Sequence, residues 1–285
     1  MQESSGSGDE ERAAPLVVGG DAPIFVIGSP RSGTTLLRLL LDSHPRISCG
    51  EETHFLRDLG AIVGRHWDLL ATYGFERRWW LERMAAFYAG FQSAVLARDG
   101  KARWAEKDPT YTLILDLIDE LFPDAVYVHL VRDGHDVVAS FRDRWGYRSA
   151  LRAARTEWAR YVRSARSLGG RLPPERFLEV RYERLVADPE PEARRLFDFL
   201  GEAWDPAVLA FDPAEHAATE RYRRFTAGRR SAAGETATIY RSRVGAGRGS
   251  LDPLLRMLLE RGAGDLLADL GYAGPEPAPR APADR

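Results

Sequence analysis

The sequence predicts an α/β fold of three layers, a central parallel sheet of about five strands flanked by helices on both faces. Three observations carry that expectation. Short, largely β-branched runs such as Ile24–Ile27, Val126–Val131 and Phe177–Val180 recur between helix-forming stretches, as buried parallel strands do. The first run breaks at Gly28-Ser29-Pro30-Arg31-Ser32-Gly33 and passes straight into Thr34–Leu41, a continuous helix former. The run at Val126 breaks in the same way, at Arg132-Asp133-Gly134. No repeat and no linker divides the chain, so it reads as one domain.

The first break has the build of a phosphate cradle. Consecutive backbone N–H groups of such a loop converge on an anion, and the following helix N-terminus adds a partial positive charge. The expectation is therefore a P-loop-containing fold, with Gly28 and Gly33 placed where a side chain would block the anion. Thr34 and Thr35 offer hydroxyls at the first helical turn. The loop resembles G-x-x-x-x-G-K-[ST] but has Thr34 at the lysine position, the cation having moved to Arg31. A nucleoside triphosphatase needs that lysine and a magnesium site. A donor with one terminal anionic group needs a cation aimed at the bond that breaks.

Composition narrows the field. With 285 residues, 44% hydrophobic and 29% charged, the chain buries a substantial core in the ordinary globular way. A formal net charge of −2 gives no global field for nucleic acid or an anionic membrane surface. One cysteine, Cys49, excludes an intramolecular disulfide and fits a reducing compartment, so the expected localisation is cytoplasmic. No apolar run approaches a membrane span, and Met1–Pro15 is polar and acidic where a signal peptide is basic and then apolar. Only two basic side chains, Lys101 and Lys107, are lysines, the arginine bias of a GC-rich bacterial genome.

In chain order, residues 1–21 are expected to be disordered, 22–272 to form the domain, and 273–285 to be a Pro/Ala-rich tail. Arg46–Cys49 is a short second strand that ends at Gly50-Glu51-Glu52-Thr53-His54. A carboxylate pair at that end of a strand lies where open α/β sheets bind ligands. Residues 55–99 read as helical, with 80, 84, 87, 88, 91 and 95 as one apolar face packed on the core. Arg103–Lys107 is a third strand, closed by Asp108-Pro109 and followed by a helix from about Thr110 through Leu121. The strand at Val126 leads to a helix from about His135 to Arg144, then a long Arg/Ala helix over 149–168. Phe177–Val180 is the fifth strand, a helix over 190–200 is capped by Gly201, and a last helix covers 251–270. Residues 212–249, polar and rich in Arg and Gly, read as irregular and mobile, with Arg243–Gly249 expected to order over a bound anion.

A second anion site follows the fourth strand. Arg132 leaves the strand end, Ser140 faces the same region eight residues on, and Arg144 lies one helical turn beyond Ser140. Two arginines and a hydroxyl converging on one spot suit a dianion such as a nucleotide 3′-phosphate. The alternative is that Arg132 merely pairs with Asp133 or Asp136.

P-R-S-G-T-T after one strand and R-x7-S after another resemble the two donor motifs of sulfotransferases that use 3′-phosphoadenosine 5′-phosphosulfate (PAPS). FVIGSPRSGTTLLRLLLDSHPRISCGEET, EKDPTYTL, LFPDAVYVHLVRDGHDVVASFRDR and VRYERLVADPE are most similar to the tyrosylprotein sulfotransferases and their bacterial relatives. The resemblance spans the sheet and its main helices but not 55–100 or 205–285, where acceptors are chosen. It implies transfer of a sulfuryl group from PAPS to a hydroxyl or phenol, in line, leaving PAP. It implies that Arg31, Ser32, Gly33, Thr34 and Thr35 hold the phosphosulfate. Arg132, Ser140 and Arg144 then hold the 3′-phosphate, and Tyr182 contacts the nucleotide. Glu52 falls on the general base and Lys107 on the second cationic group beside Arg31. Sulfuryl transfer has a loose transition state with charge gathering on the leaving oxygen, which Arg31 and Lys107 stabilise without a metal.

Each assignment has a rival. Glu51 or His54 could be the base, Lys107 could pair with Asp108, and His129, inside a strand, reads as structural. At the level of function the alternatives are a P-loop kinase or NTPase acting on a small molecule and a catalytically silent nucleotide-binding protein. The missing lysine and the lack of an aspartate-ended magnesium strand oppose the first; intact Arg31, Glu52 and Lys107 oppose the second. The expected partner is a small-molecule or peptide acceptor bearing a hydroxyl or phenol.

Overall fold

The computed structural model describes residues 21–210 and 244–274. Five parallel strands form one sheet: β1 (Ile24–Gly28), β2 (Ile47–Cys49), β3 (Arg103–Lys107), β4 (Val126–Val131) and β5 (Phe177–Arg181). Their order is β2-β3-β1-β4-β5, so the chain leaves β1 in both directions and the sheet has its topological switch beside that strand. Strand residues alternate between two buried faces. Ile24 and Val26 point to the layer of α1 (Thr34–Asp42), α8 (Tyr182–Ala187) and α9 (Pro189–Leu200). Phe25 and Ile27 point to the layer of α2 (Phe55–Ala71), α3 (Arg77–Asp99), α4 (Leu115–Leu121) and α7 (Trp158–Gly169). A third cluster joins α5 (Gly134–Trp145) and α6 (Tyr147–Arg152) to the helix Pro253–Asp269. The predicted α/β, three-layer architecture is the one found.

Register sets the site. Val26 pairs with Lys107 of β3, and Gly28 pairs with Leu130 of β4, so three strands end side by side. Every loop that carries a predicted site residue leaves from that edge.

Several elements differ from the sequence reading. The helix expected from Thr110 is a 3₁₀ turn, Pro109–Leu113, followed by α4. Thr112 is drawn out of a helical path: its hydroxyl accepts from Gly28 N at 2.9 Å and donates to Gly28 O at 3.2 Å. The helix expected over 149–168 is interrupted by a π-helical turn, Ala153–Glu157, between α6 and α7. The helical stretch 55–99 is two helices separated at Gly74. Within α3 the buried stripe is Leu81, Ala85, Tyr88, Ala89 and Gln92, while Phe87 and Phe91 face outward. The apolar face read from the sequence is therefore corrected. Gln92 turns inward because Tyr88 and Glu106 give its amide two acceptors.

Residues 1–20 and 275–285, expected as tails, and most of the segment 212–249 lie outside the described residues. The described end of that segment is not irregular: Ala246–Ser250 is a short helix seated on α5. Gly245 N and Gly247 N donate to the two oxygens of Asp136 at 3.0 and 2.7 Å.

Candidate active site

The β1–α1 loop is shaped by its neighbours. Ser32 N and Ser32 Oγ both donate to the Ser29 carbonyl, at 3.1 and 2.6 Å, which closes the turn. Arg31 is held with φ 71°, a left-handed conformation that a non-glycine residue adopts at a cost of about 1–3 kcal/mol. Its Nε donates to Ser140 Oγ on α5 at 3.0 Å, and its guanidinium lies 5.5 Å from the centre of the Trp145 ring. The two glycines are required by the protein itself. A Cβ on Gly28 would meet the Leu130 carbonyl at 2.4 Å, and one on Gly33 the Tyr182 ring at 2.4 Å. Protein atoms alone therefore exclude a side chain at either position. α1 starts at Thr34, which is buried, with Thr35 half-buried behind it.

The Gly50–His54 loop is anchored where β2 ends. Arg38, buried on α1, donates to the Cys49 carbonyl at 2.9 Å, and Cys49 N donates to Asp42 Oδ1 at 2.9 Å. The next residues wrap the end of β3, where successive side chains point to opposite faces. Glu52 forms an ion pair with Lys107, Thr53 Oγ1 donates to Glu106 Oε1 at 2.9 Å, and His54 Nδ1 meets Asp108 Oδ2 at 2.6 Å. Three consecutive loop residues thus dock on Glu106, Lys107 and Asp108. Lys107 is only 3% exposed, whereas the Glu52 side chain is 36% exposed, so the acid faces outward and the ammonium approaches from inside. His54 is left-handed, with φ 57°. Burial pushes the Glu106 carboxyl up to about 6, against the opposing hydrogen bonds of Tyr88 and Thr53.

Among the described residues, Glu52, His54 and Asp108 form a group whose metal-ligating atoms lie within 4.8 Å of one another. Their electron pairs have protein partners: Lys107 on Glu52, and Thr110 and His54 on the two oxygens of Asp108. A separate cavity of about 550 Å³, walled by Arg57, Leu117, Ser164 and Arg171, contains none of the predicted site residues.

The second arginine loop is built on α5. Arg132 Nη2 donates to Asp136 Oδ2 at 3.0 Å, and its guanidinium lies 4.3 Å over the Tyr182 ring. The alternative pairing of Arg132 with Asp136 is therefore present, and Asp136 ties it in turn to the 244–250 segment. Asp133 caps α5 through His135 N at 3.0 Å and receives Arg248 Nε at 2.7 Å. Ser140 is half-buried on α5, and Arg144 is exposed in its last turn.

The structure brings Glu52 to Lys107, Arg31 to Ser140, and Tyr182 to both Gly33 and Arg132. Lys107 takes Glu52 as its partner rather than Asp108. His129 is buried and bonds Glu179, which Arg166 also holds, as a structural histidine does. Sequence reasoning missed Glu106 and Arg38. Glu106 had a signal: two successive charges, Glu106-Lys107, end a strand whose faces are both covered, and neither is hydrated there.

Comparison with known proteins agrees with this geometry. The sulfotransferase family model matches residues 23–206. Protein-tyrosine sulfotransferase A of Caenorhabditis elegans is 32% identical over 197 residues, 65% of this chain and 51% of the relative. Nodulation protein NoeE of Sinorhizobium fredii (strain NBRC 101917 / NGR234) is 29% identical over 278 residues, 87% of this chain and 65% of that protein. The solved sulfotransferase domain from the Synechococcus PCC 7002 olefin synthase superposes with a TM-score of 0.64 at 25% identity, over 90% of this chain and 97% of that one. The chain spans about half the length of the curated relatives it matches. Because the matched residues run through all five strands and both arginine-bearing loops, the chain belongs to the sulfotransferase family.

Proposed function

We propose that the protein is a PAPS-dependent sulfotransferase that places a sulfuryl group on a hydroxyl or phenol of a small molecule or peptide, with Glu52 as general base. The observation that carries the proposal is the Glu52–Lys107 pair at the sheet edge where the Arg31 loop also ends. When bound, PAPS supplies a sulfuryl group already joined to a good leaving group, PAP. Arg31, Ser32, Gly33, Thr34 and Thr35 would hold the phosphosulfate, and Arg132, Ser140 and Arg144 the 3′-phosphate, with Tyr182 against the nucleotide. The chain's own groups fit that load: two buried or half-buried cations, Arg31 and Lys107, face the edge where the helix N-terminus adds its partial charge.

In this reading Glu52 takes the acceptor's proton at its outward-facing carboxylate as the bond to sulfur forms. Arg31 and Lys107 balance charge on the leaving oxygen, each starting from a protein partner, Ser140 and Glu52. The reading assigns that charge to side chains and uses no metal. Membership of the sulfotransferase family weighs against the ATP-using kinase. The C. elegans relative is named for protein tyrosine, the phenol end of the proposed acceptor range. A cytoplasmic location is part of the proposal and rests on the single, buried Cys49; among the described residues no helix is long and apolar enough to cross a membrane.

The test is a metal-free melting experiment with PAP and with ADP. A ligand that binds only the folded state stabilises it by mass action, so PAP should raise Tm well above the ADP value. Equal shifts remove the 3′-phosphate assignment to Arg132, Ser140 and Arg144.

A further inference from the structure

Beneath the base loop lies a buried carboxylate that the proposed chemistry does not use. Glu106 is 2% exposed, and its hydrogen-bond partners are all neutral. Thr53 gives Oε1 its hydroxyl at 2.9 Å and its backbone N–H at 3.4 Å; Gln92 Nε2 reaches Oε2 at 3.2 Å; the Tyr88 hydroxyl completes the set. Tyr111 closes the network by bonding Thr53 Oγ1 at 3.1 Å and receiving Leu56 N at 3.0 Å. A carboxylate buried without a cation is costly, and an apolar side chain would fill the same place at lower cost. What an ionised carboxylate adds is polarity of one sign. It only accepts, so every neighbour must turn a donor toward it.

That requirement reaches the neighbouring residue of the base loop. Glu106 grips Thr53 chiefly through the hydroxyl, and the N–H it also meets belongs to the peptide that begins at Glu52, so anchoring Thr53 restricts the backbone that aims the Glu52 side chain. Glu106 and Lys107 are adjacent on β3 and point to opposite faces. One grips the loop through Thr53, and the other meets the Glu52 carboxylate itself. We infer that Glu106 is a positioning residue for the general base, acting through Thr53 to fix the direction in which Glu52 faces the acceptor. The inference rests on the reading of Glu52 as base.

Four variants test it: Glu106→Gln, the double exchange Glu106→Gln with Gln92→Glu, Thr53→Val and Thr53→Ser. Two measurements are made on each. One is hydrogen exchange of the amides of residues 51–56 in the ligand-free protein. The other is turnover of PAPS with 4-methylphenol, a phenol that keeps its proton at neutral pH, as probe acceptor, with kcat separated from the KM for PAPS. Glu106→Gln sets one amide NH₂ against that of Gln92, so exchange at 53–56 should quicken and kcat fall roughly tenfold or more at nearly constant KM. The double exchange restores a donor opposite an acceptor and should recover most of the loss. Thr53→Val removes one donor to Glu106 and one partner of Tyr111, so it should lower Tm and, in the folded protein, repeat the kcat loss at nearly constant KM, and Thr53→Ser should not. Wild-type exchange in Glu106→Gln overturns the inference, as does a Glu106→Gln kcat loss that Thr53→Val fails to reproduce. Glu52→Gln run alongside separates the two readings. Full activity there withdraws the base assignment, whereas loss there with wild-type kcat in Thr53→Val removes only the role of Glu106.

Discussion

The two sides of the site are made of different material. On the proposed donor side, two strand-to-helix loops leave adjacent strands in fixed register, and crowding by the Leu130 carbonyl and the Tyr182 ring constrains the first of them at Gly28 and Gly33. On the side of α2 and α3, rings stand in solvent beside the Gly50–His54 loop: Phe55 is 37% exposed, Phe91 46% and Phe87 67%. Phe55 lies 5.7 Å from both Phe87 and Tyr88, so the exposed rings join the buried cluster under the sheet end. The contrast shows where each kind of recognition is constrained. Backbone geometry holds the donor loops, and a change there disturbs the fold. Side chains on a helix surface line the other side, and they change without cost to the core.

The sharpest way to break the comparison is at the boundary between the two sides. Glu52→Gln keeps shape but accepts no proton, so turnover should fall roughly 10²-fold or more while the PAP melting shift is kept. Lys107→Ala should also lower turnover, by removing charge stabilisation of the transition state. Glu51→Gln is the control and should cost far less. Activity kept in a folded Glu52→Gln and lost in Glu51→Gln or His54→Ala relocates the base. A second, smaller effect is expected on the donor side. Gly33→Ala meets both the Tyr182 ring and a φ of 104°, so it should lower stability by about 1–3 kcal/mol and shrink the PAP shift together. An unchanged melting curve for Gly33→Ala would show that the loop yields to a side chain. The smallest effect belongs to Phe87→Ala, which should alter the acceptor KM by no more than about tenfold while Tm and PAP binding stay put. Lost PAP binding in that variant would join the two sides into one.

The same contrast governs what was legible in the sequence. β1 and β4 were readable because a strand covered on both faces is a near-continuous apolar run, β5 from the short Phe177–Val180 stretch although it is a half-buried edge strand, and the loop after β1 because Gly, Pro and Arg stand there together. The α3 face was misread because Trp80, Phe87 and Phe91 are apolar yet point outward or lie half-buried, while Gln92 is polar and buried. Hydropathy alone does not record that an amide finds two acceptors inside. The chain path after Asp108 was misread because the Thr112 hydroxyl is spent on Gly28, a partner 84 residues away. Glu52 and Lys107 were each identified by motif, but their contact was not, since it forms across two separate strand ends. Local pattern reports which residues face the core; long-range polar pairing is visible only in three dimensions.

Tyr182 follows β5 and sits with one ring edge against Gly33 and one face under the Arg132 guanidinium, 4.3 Å away. The Arg31 and Arg132 loops are thereby kept apart by an object of fixed width. Neither loop sets the gap alone, because each abuts the same rigid ring. Tyr182 works as a gauge block between them, so that in the proposed function the distance between the two negative charges of the donor would be measured against an aromatic ring.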